Sequence, residues 1–297
     1  MRRPFRPRPW SRRMTTIGTG TGATGLPPIP AYLIASKDEE KLAAKFAQTN
    51  PQAKADIDYF ESKAPTLDTA DALMKDYRAL GILLGAYGMS DQIQYPALIR
   101  KLITEDPTST SSTAQRIGNT NYLAFAKAMA QYASNPFATG DGVQAVTDAY
   151  TLNSFEKDQG TQIPGMEQAL AFKRQASGIT TIAQLMSNLP ALKVAVVQTG
   201  LDWTSYGAMD YDRQVKLLTS TIDIDDLQDP AKVDRMAEQF LIKAADDPTK
   251  CGAKDKEKYS LASLLASATT TDPILSILGG KTGSSSSGSD PMLALFA

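Results

Sequence analysis

The sequence of 297 residues contains no histidine and a single cysteine, Cys251. Without histidine, the chain can form no Ser-His-Asp triad, no Cys-His nucleophile pair and no metal site with imidazole ligands. With one cysteine it can form neither an intrachain disulfide bond nor the thiolate cluster of a zinc or iron–sulfur site. Any chemistry would therefore depend on carboxylates, Lys, Tyr, Ser or a bound cofactor.

Long apolar runs and aromatic residues are also scarce. No stretch reaches the roughly 18 apolar residues of a membrane span, so none is expected. The amino terminus lacks the apolar segment of a cleavable secretory signal. Aromatic residues make up 7% of the chain, and much of the apolar content is Ala, Leu, Ile and Met. This composition favours helices over sheets.

The formal net charge of −1 hides an uneven distribution. The first 13 residues, MRRPFRPRPWSRR, carry six Arg and no acid, which leaves 25 basic and 32 acidic residues in the rest of the chain. Because this body is acidic, we expect no general nucleic-acid-binding surface. The Arg/Pro-rich start has two interpretations: a basic arm for an anionic surface, or the product of a misassigned start codon with Met14 as the true first residue.

Helical signals fill the centre of the chain. Ser36 stands three residues before Glu39 in a capping-box pattern, and Asp68 precedes a long apolar periodicity that ends at Gly88. No alternating strand pattern is present. The sequence therefore predicts an all-α multi-helix bundle, with the helical domain at 35–267.

Low-complexity segments flank the predicted bundle. Residues 1–34 predict a disordered lead, first basic and then rich in Gly, Thr and Pro. Residues 268–297 predict a flexible Gly/Ser linker followed by an apolar C-terminal peptide. Exposed apolar groups of this kind usually bind something, although an inert end or a degradation tag is the alternative. The candidate partner-docking residues are the large apolar ones of this peptide: Met292, Leu293, Leu295 and Phe296.

A weak internal repeat relates residues 69–89 to residues 181–201 at an offset of 112. The matching positions include Thr69/Thr181, Leu73/Leu185, Met74/Met186, Ala79/Ala191, Leu80/Leu192 and Gly88/Gly200. This pattern predicts two pseudo-repeated three-helix units, joined by a pair of helices over 143–177 that run antiparallel across a turn at Gly160. The alternative is chance similarity between two Ala/Leu-rich helices with glycine caps.

The motifs that suggest chemistry lack their structural context. Gly20, Gly22 and Gly25 have the spacing of a dinucleotide-binding loop, but no strand precedes them and no helix follows. The acidic cluster of Asp223, Asp225, Asp226 and Asp229 lacks the turn glycine of a calcium loop, and two of these acids stand just before helices, so we interpret the cluster as helix caps rather than a metal site. Cys251 is interpreted as a lone surface thiol. The sequence therefore predicts no catalytic residue, no metal site and no cofactor.

Several stretches are similar to an uncharacterised all-helical bacterial family, domain of unknown function twelve-seventeen. They include YFESKAPTLDTADALMKDYRALGILLGAYGM, LIRKLITED, RIGNTNYLAFAKAMA and, most specifically, MDYDRQVKLLTSTIDIDDLQDPAKVDRMAEQFL at 209–241. The family typically has Phe at the position of Leu227, a conservative departure. The resemblance covers about 36–241 and excludes the lead and the tail. It implies an alphaproteobacterial protein, often encoded near flagellar genes, with no established activity or catalytic residues.

We therefore expect a non-enzymatic interaction or structural protein that is associated with the flagellum and binds protein partners, located in the cytoplasm or at the flagellum. The alternative is a helical small-molecule-binding protein or a carboxylate-based enzyme that uses Asp212, Asp225 and Asp226 with Arg213. A third hypothesis is an anionic-surface binder that acts through the Arg-rich start.

Overall fold

The computed structural model describes residues 26–130, Phe137 and residues 140–253, and the regular structure in these residues is entirely helical. The all-α prediction is therefore confirmed. The α-helices are α1 Pro28–Lys37, α2 Glu39–Thr49, α3 Pro51–Lys63, α4 Ala70–Lys75, α5 Tyr77–Ala86, α6 Pro96–Thr104, α7 Thr113–Ile117, α8 Thr120–Met129, α9 Gly140–Gln162, α10 Met166–Gln175, α11 Ile182–Ser187, α12 Leu189–Gln198, α13 Trp203–Gly207, α14 Tyr211–Thr221 and α15 Pro230–Asp246. Short 3-10 helices occupy Ala64–Thr66, Ser90–Gln94, Ala176–Gly178 and Ile224–Gln228.

The helical body begins earlier than the sequence predicts. Helix α1 starts at Pro28, inside the segment interpreted as a disordered lead, because a proline in the first helical turn loses no hydrogen bond and its apolar neighbours have a core to join. Ser36 lies within α1, so its predicted role as the capping residue of the next helix is wrong. Helix α2 instead follows Asp38, whose side chain makes no capping hydrogen bond.

The predicted long helix from Asp68 to Gly88 is two helices. Asp76 Oδ1 accepts a hydrogen bond from the backbone N–H of Ala79, at 3.0 Å, and this side-chain cap starts α5. The predicted end at Gly88 is confirmed. Gly88 has a φ of 66°, and the N–H of Met89 donates to the carbonyl of Leu84 at 2.8 Å.

Two hydrophobic cores share the long helix α9. The first core is built by helices α3 to α8, with Phe60, Leu83 and Phe125 among its fully buried side chains. The second is built by α1, α2 and α10 to α15, with Phe172 and Phe240 at its centre. Helix α9 contributes Val146 to the first core and Phe155 to the second. Burial of these apolar side chains is the main force that holds each half together.

The offset of 112 extends through both cores. Thr69 and Thr181 cap α4 and α11 through side-chain oxygens, and Gly88 and Gly200 both adopt positive φ. Buried core residues coincide along the same offset: Phe60/Phe172, Ala64/Ala176, Leu67/Ile179, Leu73/Leu185, Ala79/Ala191, Leu80/Leu192, Ile82/Val194, Leu83/Ala195 and Leu84/Val196. The two predicted pseudo-repeated units are thus present, but each contains more than three helices.

The two helices predicted to connect the units, α9 and α10, belong to the second unit. Shifting α1 and α2 by 112 residues places them within α9, and shifting α3 places it over α10. The helix is interrupted between α1 and α2, whereas α9 is continuous. Helix α1 packs into the second core and the first half of α9 packs into the first core. The first helical segment of each unit therefore packs into the core of the other unit.

The turn between α9 and α10 is at Gly165, not at Gly160 as the sequence predicts. Gly160 lies inside α9, whereas Gly165 has a φ of 85°. A Cβ atom on Gly165 would stand 2.7 Å from the Cβ of Ala244 and 2.9 Å from the ring of Phe240. Only glycine fits both this backbone conformation and this close contact with α15.

Candidate functional site

A buried ion pair joins α9 to α10 where the two cores meet. The side chain of Glu156 is 2% exposed, and Arg174 donates to it twice, from Nε to Oε1 at 2.8 Å and from Nη2 to Oε2 at 2.9 Å. Such a bidentate, charge-assisted pair has a single favoured geometry. It therefore fixes the register of the two helices.

Asn153 links this ion pair to the first unit. Its Oδ1 accepts from Arg174 Nη2 at 3.1 Å, and its Nδ2 donates to the carbonyl of Ala86 at 2.8 Å. The Ala86 carbonyl belongs to the last turn of α5, where helix carbonyls lack intrahelical partners. One polar network thus connects α5, α9 and α10.

Glu39, the first residue of α2, adds a second carboxyl group to this network. Its Oε1 is buried and receives no hydrogen bond from the described residues, and its carboxyl group lies beside that of Glu156. Burial and the neighbouring Glu156 raise the pKa of Glu39 to about 8. Burial also raises the pKa of Glu156, against the opposing effect of Arg174. Two acids and one guanidinium therefore share a site in which Glu156 is buried and the other two side chains are partly exposed.

A polar cleft of about 400 Å³ lies between the units. Lys157 Nζ donates to Ser90 Oγ at 2.8 Å at its edge. Lys193, 5% exposed, donates from Nζ to the carbonyl of Gly252 at 2.7 Å. The cleft also holds acidic side chains, those of Asp91, Asp158 and Glu167. Charges of both signs thus line its wall.

The contact between Ser90 and Lys157 has the composition of a serine–lysine nucleophile pair. A lysine serves as the base of such a pair where a buried or cationic environment favours its neutral form. Lys157 is exposed. The contact therefore supplies an ordinary surface hydrogen bond rather than an activated serine.

The acidic cluster acts through caps and ion pairs. Asp223 Oδ1 accepts from the N–H of Asp225, and Asp229 Oδ1 from the N–H of Ala231, so the predicted capping is confirmed. Asp226 pairs with Lys232. Among the described residues, no group of three or more His, Cys, Asp or Glu side chains is arranged to hold a metal ion.

The residues of the alternative carboxylate enzyme do not converge. Arg213 pairs with Asp210 at 3.2 Å, and both side chains are exposed. Within residues 140–253, no hydrogen bond or ion pair joins Asp212 or Arg213 to Asp225 or Asp226. These residues therefore form no shared site on which the carboxylate-based enzyme of the alternative hypothesis could rest.

Cys251 is buried, so its interpretation as a surface thiol is wrong. The side chain packs into the second core at 1% exposure, and burial raises the pKa of the thiol. After α15, Gly252, with a φ of 70°, packs directly against the indole of Trp203. The single cysteine is therefore a core residue, and its thiolate form is disfavoured.

Exposed apolar side chains lie on two helices that contact each other. Leu33 and Ile34 of α1 are 48% and 54% exposed, and Ile242 of α15 is 57% exposed. The hydroxyl of Tyr32 donates to Asp234 Oδ1 at 2.8 Å and ties α1 to α15. We call Leu33, Ile34 and Ile242 the apolar residues of the α1/α15 surface.

The predicted docking residues Met292, Leu293, Leu295 and Phe296 lie outside the described residues, as does the predicted lead before residue 26. The structure instead adds α1, Glu39 and Glu156. Neither α1 nor Glu156 has a strong local motif, and the sequence presents Glu39 only as the acid of a capping-box pattern. The sequence feature that could identify Glu156 is its position relative to the turn. Glu156 and Arg174 lie nine residues on either side of Gly165.

None of the helices in the described residues is long and apolar enough to span a lipid bilayer, as expected from the sequence. This finding agrees with the absence of long apolar runs. The expected protein partners and the expected association with the flagellum do not depend on this finding.

Comparison with known proteins supports the resemblance drawn from the sequence. Residues 86–233 match the family described as "Protein of unknown function (DUF1217)". A similar solved structure is the X-ray crystal structure of a protein from Agrobacterium tumefaciens, with 25% identity and a TM-score of 0.62. The match covers 86% of this chain and 100% of that chain. No curated protein matches this chain.

Proposed function

Residues 86–233 belong to the DUF1217 family, and on that premise we propose that this protein is a non-enzymatic interaction or structural protein associated with the flagellum. Its location is the flagellum or the cytoplasm beside it. The flagellar part follows from the resemblance, because genes of the similar family often stand near flagellar genes. The interaction part is carried by one observation, the exposed apolar residues of the α1/α15 surface.

Three large apolar side chains on adjacent helices are a feature that binding surfaces share. Leu33, Ile34 and Ile242 each leave about half of their surface in water, although the same helices bury apolar residues efficiently elsewhere. Apolar surface held in water is unfavourable at roughly 25 cal/mol per Å², so a partner that covers it gains that free energy. The partner fitted to such a surface is an amphipathic helix of another protein.

The C-terminal peptide is a second element of the proposal. Met292, Leu293, Leu295 and Phe296 follow a Gly/Ser-rich stretch, and an apolar peptide on such a tether binds a partner at raised effective concentration. In this proposal the partner is held at two places, by the α1/α15 surface and by the peptide.

A swimming assay tests the proposal. A strain that lacks the gene is complemented with the wild type, with a Leu33→Ser and Ile34→Ser double variant, or with Tyr77→Ser as the control. Tyr77 is 71% exposed on α5, so its replacement removes a comparable exposed apolar group elsewhere. We expect the wild type and the control to restore swimming and the double variant to fail, although it unfolds at the same urea concentration as the wild type.

Normal swimming and normal filaments in the deletion strain would contradict the flagellar part. Full complementation by the double variant would contradict the role of the α1/α15 surface and leave the flagellar part intact. A further variant, truncated after residue 278, tests the peptide separately.

A second candidate function is favoured by the polar cleft. A volume of about 400 Å³ that is lined by side chains of both charge signs suits a small zwitterionic molecule. Thermal unfolding of the full chain in about 10 mM amino acids or polyamines distinguishes the candidates. A rise in Tm that is lost in Lys157→Met would favour small-molecule binding.

A further inference from the structure

We propose that Glu39 and Glu156 share one proton and form a pH-sensitive latch that holds α1 and α2 against α9 and α10. The inference does not rest on the proposed function. It follows from the position of Glu39 in the chain, from the fixed orientation of Glu156 and from the number of charges in the network.

Glu39 stands at the joint between α1 and α2. Asp38, between the two helices, has a φ of −124° and a ψ of 38°, which breaks what is one continuous helix in the equivalent part of α9. Further along α2, Ala43 and Phe46 pack into the second core, the latter against Phe155 at a ring-centroid distance of 6.1 Å. A polar change at Glu39 therefore acts at the joint itself.

Glu156 presents a fixed oxygen pair to Glu39. Arg174 holds both carboxylate oxygens of Glu156 and is itself held by Asn153. Since Arg174 already neutralises Glu156, a second negative charge on Glu39 would find no further guanidinium in the network. Two adjacent carboxyl groups with one shared cation are most stable when one of them keeps its proton.

The proton balance of the latch is simple. In the closed form the Glu39 carboxyl donates its proton to Glu156, and the three side chains carry no net charge. In the open form Glu39 releases that proton to water and the network carries one net negative charge. No other bond forms or breaks, so no co-reactant is needed.

Other charged groups surround the latch on each packed element. Tyr32 of α1 and Lys173 of α10 lie beside Glu39, and Glu167 of α10 acts on Glu156. Lys173 is already paired with Asp234 of α15 at 2.7 Å and stacks over the ring of Tyr32. Glu238 of α15 adds a further negative charge near Tyr32. The cation nearest to Glu39 after Arg174 is thus already committed to another carboxylate, which leaves an ionised Glu39 poorly compensated.

The sign of the pH effect follows from linkage. Burial and Glu156 raise the pKa of Glu39 to about 8 in the closed form, whereas a solvent-exposed glutamate has a pKa of about 4.3. The closed form therefore keeps a proton that the open form has lost between these two values. The stabilisation of the closed form relative to the open form is therefore complete below about pH 4.3. It decreases as the pH rises and levels off above pH 8.

Hydrogen–deuterium exchange of the full chain, read by mass spectrometry at pH 5.5 and pH 7.5 and corrected for intrinsic rates, tests the latch. The opening of residues 28–49 is expected to increase by up to about tenfold per pH unit in the wild type. Glu39→Gln, which keeps a neutral group at this position, should change less than about threefold over the same range. Glu40→Gln is the control, because it makes the same replacement at an exposed neighbouring residue, and it should behave as the wild type does.

An equal pH dependence in the wild type and in Glu39→Gln would overturn the proposal, as would the absence of any pH dependence in the wild type. A carbon-13 titration of the wild-type carboxyl groups keeps the test valid if the variant does not fold. A glutamate with a midpoint between pH 7 and pH 9 is expected. If all carboxyl midpoints lie below pH 6, the latch does not exist.

Discussion

Glu156 accepts two hydrogen bonds from the guanidinium of Arg174 across the turn at Gly165, and the two residues lie nine positions on either side of that glycine. The pair is the centre of the polar network that connects α5, α9 and α10.

Removing the guanidinium should destabilise the protein strongly. Arg174→Ala leaves Glu156 buried without its partner, and such a loss usually costs about 3–5 kcal/mol. Because Arg174 is 30% exposed, we expect a decrease of about 2–4 kcal/mol in the free energy of unfolding, measured with urea. Arg213→Ala is the control, since it breaks an exposed pair, and it should change stability by less than about 1 kcal/mol.

Gly165 should not tolerate a side chain. Gly165→Ala forces a Cβ atom into the Cβ of Ala244 and the ring of Phe240 while the backbone keeps a positive φ. We expect a loss of at least about 1–3 kcal/mol in the free energy of unfolding. Gly178→Ala provides the comparison, because a Cβ atom there meets nothing within 4 Å, and equal losses in the two variants would contradict the close packing at Gly165.

The two cores should respond to equivalent truncations in the same way. Leu73→Ala and Leu185→Ala each open a cavity at a fully buried position, for which about 2–5 kcal/mol is typical. Their effects on the free energy of unfolding should add within about 0.5 kcal/mol, because the two residues belong to different cores. Strong non-additivity in urea titrations of the double variant would show that the cores are not separate.

Cys251 should react slowly. Its thiol is buried and its pKa is raised by that burial, so little thiolate is available in the folded chain. We expect reaction with a disulfide reagent at pH 7 to be more than about tenfold slower in buffer than in denaturant. The measurement needs no control variant, because Cys251 is the single thiol of the chain. Equal rates in the two solvents would restore the surface interpretation.

Local signals in the sequence are enough to predict the fold class and the repeat. Helix caps such as Asp229 and the glycine at position 88 act through the nearest backbone groups, so their meaning survives without tertiary information. Helix α1 escapes prediction because its first residues resemble the low-complexity segment before it. What orders α1 is a distant contact, the burial of Tyr32 and its hydrogen bond to Asp234.

The polar network is beyond the reach of local patterns for the same reason. In the sequence, Glu39 fits a capping box, and Glu156 is one acid in a helical segment. Their proximity depends on how α2 packs against α9, which no spacing within either helix encodes. The turn position matters as well, because a turn at Gly160 would not place Glu156 opposite Arg174.

We propose that this protein contacts a flagellar component through the α1/α15 surface, and site-specific photo-crosslinking in cells tests this contact most directly. A photoreactive amino acid replaces Ile34 in one strain and Tyr77 in another, and the adducts are identified by mass spectrometry. We expect an adduct with a flagellar protein from position 34 and none from position 77. No adduct from position 34, or the same adducts from both positions, would contradict it.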